Sequence, residues 1–126
     1  CRGNGMAVWT WRVAGLAVAC MLVSGQPAPA QDATASAVGK LRQGMGYAQA
    51  RAILVGAGWQ ADIFPPNSAS ERCSGRMDVC SRYLEAESCS GTGLGFCRFT
   101  FTNALGRRFV VITGGMDLSV QKWLFE

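Results

Sequence analysis

Four cysteines, Cys73, Cys80, Cys89 and Cys97, have the type and spacing to do chemistry, with six, eight and seven residues between successive members. Four thiolates could hold a zinc ion, but these spacings contain no C-x₂-C knuckle, and an oxidising compartment disfavours free thiolates. An even number of cysteines in a small exported chain reads instead as a disulfide framework. Three pairings are possible. The sequential one, Cys73 with Cys80 and Cys89 with Cys97, closes two short loops and needs no long-range assumption. In the chain-entropy model each such loop stabilises the fold by about 2–3 kcal/mol.

Other chemistry is narrowly bounded. The chain has no histidine, which excludes Ser-His-Asp and Cys-His nucleophile systems and histidine-containing metal sites. No metal and no cofactor is expected. Gly91-Thr92-Gly93-Leu94-Gly95 has the glycines of a phosphate-cradling loop but lacks its lysine and lies between two cysteines, so it reads as a turn that lets Cys89 and Cys97 meet. Glu85 and Glu87, two apart, would share a face on a strand, as a hydrolytic carboxylate pair would. A solvated strand face is the plainer reading, and Asp62 is the further carboxylate a small enzyme would use. Arg98, Arg107 and Arg108 either converge across a hairpin into a cationic patch for an acidic partner or guard a sheet edge against aggregation. Trp59, Trp123 and Phe125 cap the core between helix and sheet, or, where exposed, mark the centre of an interface.

The compartment follows from residues 1–30. Arg12 precedes the apolar run Val13–Val23, then come Gly25, Pro27 and the small-x-small site Ala28-Pro29-Ala30. That is the pattern of a secretory signal peptide, with Met6 as a candidate true start. The run is too short for the roughly 20 residues of a membrane-spanning helix. A lipidated Cys20 is the alternative, although Ala17-Val18-Ala19 lacks the large aliphatic residue of a lipobox and the apolar run continues past it. Cleavage after Ala30 leaves residues 31–126 as a single small domain. Its ten Lys+Arg against eight Asp+Glu leave a net charge of about +2, too weak to argue for nucleic acid. The expected location is periplasmic or secreted, with a membrane involved only if Cys20 carries lipid.

The elements that must position these residues are legible in outline. Residues 31–40 are small and polar, a leader running into a short helix through Leu41 and Arg42. Tyr47, Ala50, Ile53, Leu54 and Ala57 form one apolar stripe of a helix over 47–57, with Gly58 placed to end it. Residues 59–63 alternate as a strand, 64–80 read as a long surface loop, and 83–87 as a short strand. In 96–102, Cys97, Phe99 and Phe101 share one face while Arg98, Thr100 and Thr102 share the other. Asn103-Ala104-Leu105-Gly106 turns the chain into 109–113, a run apolar on both faces and hence a central strand, and 120–125 closes the sheet. The fold class is α+β: one or two N-terminal helices packed on a roughly four-stranded antiparallel sheet, with two local disulfides.

The stretch Leu41-Arg42-Gln43-Gly44-Met45-Gly46-Tyr47 through Leu54 to Gly58-Trp59 resembles the opening of small bacterial envelope domains, in which Gly-Met leads a short helix ending in Gly. These include the small outer-membrane-assembly lipoproteins and the β-lactamase-inhibitor-like proteins. Glu87–Gly93, Cys97-Arg98-Phe99 and the hairpin from Gly106 to Gly115 resemble an uncharacterised group of exported bacterial proteins. The resemblance implies an envelope location and helices on an antiparallel sheet, and it transfers no functional residue. The function expected is a non-enzymatic periplasmic or secreted interaction module whose partner is another envelope or extracellular protein. The alternatives are a lipid-anchored envelope assembly protein and a small carboxylate-based enzyme.

Overall fold

A computed structural model describes Gly25 and residues 30–126, with side chains from Ala33 onward; Met6, Cys20 and most of the expected signal peptide lie outside the described residues. The element order is α1 (Ala30–Val38), α2 (Tyr47–Gly56), β1 (Gln60–Ala61), a 3-10 turn at Pro66–Ser68, α3 (Ala69–Arg72), α4 (Met77–Arg82), β2 (Ala86–Cys89), β3 (Cys97–Thr102), β4 (Arg108–Gly114) and β5 (Ser119–Phe125). The fold is α+β, as the sequence pattern requires.

The apolar stripe of α2 does what its spacing predicts. Tyr47, Ala50 and Leu54 are buried, with Ile53 and Ala57 packed against them. The helix ends in a Schellman motif: Trp59 N–H donates to Leu54 O at 3.0 Å and Gly58 N–H to Val55 O at 3.1 Å. Gly58 sits there at φ +103°, a conformation that costs a glycine nothing.

The sheet is antiparallel and has five strands. β3, β4 and β5 follow one another, and both β1 and β2 pair with the far side of β3. The helices cover one face, where Phe99, Phe101, Phe109, Val111 and Val120 meet Leu54, Trp59 and Val79 in a single core. Alternation along each strand sends Arg98, Thr102, Arg108 and Ile112 to the opposite, outer face.

Four segments depart from the sequence pattern. Residues 59–63 pair over only two positions. The expected loop at 64–80 contains the 3-10 turn and α3, and α4 opens within it at Met77. These pieces are too short to hold as isolated helices; the Cys73–Cys80 disulfide joins α3's C-cap to α4. The expected strand at 83–87 begins only at Ala86, because Tyr83, Leu84 and Glu85 are spent on the turn out of α4. Residues 31–38 are helical where a leader was expected, and they contribute Ala37 to the core.

Candidate functional site

Both disulfides join sequential cysteines, Cys73–Cys80 and Cys89–Cys97. The second lies across the β2–β3 pair, where Cys89 and Cys97 are directly opposite. The loops that the disulfides brace touch at Gly91, where an added Cβ would lie 2.5 Å from Ser74 O and 3.0 Å from Gly75 Cα. The glycines of the 91–95 turn thus serve a close backbone approach, at least at Gly91. Arg76 ties a third loop to this end. It is 4% exposed, and its guanidinium donates to Gly115 O at 3.4 Å, Met116 O at 3.5 Å and the Asp78 carboxylate at 3.3 Å. That hydrogen bond holds the Asp78 carboxyl below its usual pKa. Gly115 N–H closes the assembly by donating to Leu94 O at 2.8 Å.

This braced end turns large apolar side chains outward. Leu94 is 71%, Phe96 46% and Met116 80% exposed. They flank the 90–95 and 114–118 loops, and Leu94 and Phe96 line a surface concavity of about 420 Å³ with Gly93, Gly114, Gly115 and Gln121. A second cleft of about 250 Å³ lies behind, between Tyr47, Arg76, Arg82 and Asp117. No periodic pattern marks Leu94 or Met116, since each is a lone apolar residue among turn formers, and Arg76 looks like any surface arginine.

The carboxylates are separated. Glu85, 1% exposed, faces the helices; it accepts from Tyr47 Oη at 2.7 Å and Arg51 Nε at 2.6 Å. The Tyr47 ring stacks on Phe99. Glu87 and Asp62 lie instead on the outer face. There Arg98 donates to Glu87 and Glu126, and Arg108 sits 3.5–3.8 Å from Asp62, Glu87 and Glu126. Thr102 Oγ1 donates to Asp62 at 2.7 Å. Glu85 and Glu87 therefore do not share a face, because Glu85 precedes the strand.

The three arginines do not gather either. Arg108, the first residue of β4, joins Arg98 among three carboxylates, whereas Arg107, in the connection before the strand, lies over the Phe125 ring at 4.1 Å. Trp59 is a core residue, 2% exposed, donating through Nε1 to Thr34 O at 3.1 Å and packing on Phe109. It is almost closed to solvent, whereas Trp123, half-buried in β5, reaches the surface.

No protein family, curated protein or solved structure matches this chain. Two disulfides with buried sulfurs indicate an oxidising, non-cytoplasmic compartment. No described helix is long and apolar enough to cross a membrane.

The Glu85 centre has a measurable signature. Burial, and then the Glu85 charge, push the Tyr47 hydroxyl far above its ordinary pKa. A group whose folded pKa is raised contributes stability that is present below its unfolded pKa, about 10, and lost as pH rises beyond it. Stability measured by urea unfolding should thus fall above pH 10, by up to about 1.4 kcal/mol per pH unit from this one group. The fall should be shallower by that amount in Tyr47→Phe. Equal slopes in the two proteins would remove Tyr47 as its origin.

Proposed function

We propose that this protein is a non-enzymatic interaction module of the periplasm or extracellular space, binding another protein through its disulfide-braced end. One observation carries the reading: Leu94, Phe96 and Met116 stand exposed on loops that two disulfides and the buried Arg76 hold in place. Apolar side chains on a fixed surface bind without the ordering cost that mobile loops incur, and clustered exposure of this kind marks interaction sites. The local resemblance of residues 41–59 to small envelope domains fits the same compartment.

Photo-crosslinking in cells that export the protein tests it. A crosslinking amino acid at Leu94 should give a discrete adduct with one partner protein, and the adduct should vanish when Met116→Asp is added. The same probe at the exposed Glu71 should give none. Identical patterns at both positions would overturn the proposal.

A further inference from the structure

The sheet has one long open edge. β3's far side is divided between the short β1 and β2, whereas β5 runs seven residues with β4 on one side only. Its first part is already covered. Val120 N–H donates to Met45 O at 2.8 Å, and Gly44 N–H donates to Val120 O at 2.7 Å. Beyond the bulge at Ile112/Thr113 the backbone hydrogen bonds of that cover end, with the Gln43 side chain lining a groove beside Lys122 and Trp123.

The bond from Glu126 N–H to Arg108 O fixes the phase of the β4–β5 ladder: Glu126 and Leu124 face β4 with their backbone groups, and Trp123 and Phe125 face away. Two N–H and two C=O groups are thus directed outward along the edge, with no backbone partner among the described residues.

The side chains along this edge define what would fit. Lys122 is exposed on the outer face, and Arg107 lies over Phe125 on the opposite one. Neither makes an ion pair among the described residues, unlike Arg98 and Arg108. Between them come Trp123 and Leu124, and a concavity of about 370 Å³ opens beside Arg107, Phe125, Leu105 and Trp59.

We propose that the free edge of β5 takes an extended acidic segment of another protein as a sixth strand. Main-chain hydrogen bonds to Trp123 and Phe125 supply affinity, and alternate side chains supply specificity. The residue opposite Lys122 is acidic, those opposite Trp123 and Leu124 are apolar, and the one opposite Phe125 is acidic and reaches Arg107. The acid–apolar–apolar–acid pattern reads the same in both directions, so it serves parallel and antiparallel addition alike. A second copy of this chain would bring its own Lys122 and Arg107 to the seam, and like charges across strands are unfavourable. The edge is distinct from the Leu94–Met116 end, so each reading can fail without the other.

The probe is a fluorescent octapeptide, Ser-Thr-Glu-Val-Ile-Glu-Thr-Ser, titrated into the oxidised protein. Binding should weaken at least tenfold with Lys122→Glu, and at least tenfold when both glutamates of the peptide become lysines. Amide exchange at Trp123 and Phe125 should slow at least tenfold at saturation. No binding at millimolar peptide, binding without that protection, or indifference to Lys122→Glu would each overturn the proposal. So would protection of the same amides by self-association without peptide. Leu94 crosslinks that persist while the peptide fails would sink the edge alone; edge binding without Leu94 crosslinks would sink the interaction module at the loop end alone.

Discussion

Replacing Glu85 by alanine should lower stability by about 3 kcal/mol at neutral pH. Glu85 is buried at the seam between α2 and the sheet, accepting from Tyr47 and Arg51. Its own carbonyl accepts from Thr100 N–H at 3.2 Å. Truncation orphans the buried Tyr47 hydroxyl, at about 1–3 kcal/mol for an unsatisfied group, and leaves a void beneath the stacked Tyr47–Phe99 pair. Arg51 is different. Its side chain is 39% exposed, and water can take over its donors, so the ion pair itself is discounted for screening.

The partner variants give the ranking that separates a network from a sum. Arg51→Ala should cost about 1–2 kcal/mol, since alanine admits water to the carboxylate. The double variant should be little worse than Glu85→Ala alone, because the two side chains share one interaction. Urea unfolding of the three proteins decides it. A loss below about 1 kcal/mol for Glu85→Ala, or strict additivity, would show that the centre contributes little to holding α2 on the sheet.

That centre also shows where reading the sequence stops. The stripe Tyr47, Ala50, Leu54 and the alternation Cys97, Phe99, Phe101 are visible because periodicity records which face is buried. Glu85 has no such signature. Its burial depends on Tyr47 and Arg51, 38 and 34 residues earlier, and a carboxylate between two apolar positions otherwise reads as solvent-facing. The burial of Arg76 has no such signature either, since two of its acceptors are carbonyls about 40 residues away. Of the two readings of Arg98, Arg107 and Arg108, a joint cationic patch is not what forms among the described residues, because Asp62, Glu87 and Glu126 arrive from three other segments to pair with Arg98 and Arg108. Short helices such as α4 depend on a cross-link rather than on propensity, so composition hides them.

Removing both disulfides should be the most damaging change available, at about 5 kcal/mol in total. Each loop, with seven and eight residues of sequence separation, contributes about 2.5 kcal/mol in the chain-entropy model. A domain of this size has only about 5–15 kcal/mol to lose. The two bonds should nevertheless fail differently. Cys89 and Cys97 lie opposite each other on strands that pair regardless, so Cys89→Ser/Cys97→Ser should keep the sheet and lower the unfolding midpoint. Cys73 and Cys80 hold two helical pieces too short to persist alone, and both sulfurs are buried. Cys73→Ser/Cys80→Ser should therefore release the 66–82 segment and, through Arg76, the 114–118 loop. Amide exchange would show this as local loss of protection at Val79 and Cys80 well below the global unfolding midpoint. Crosslinking from Leu94 should then fall, because the loop carrying Met116 is no longer held by the Arg76 guanidinium. Uniform exchange across both variants would mean that the two disulfides only raise global stability and that the braced end does not depend on its brace.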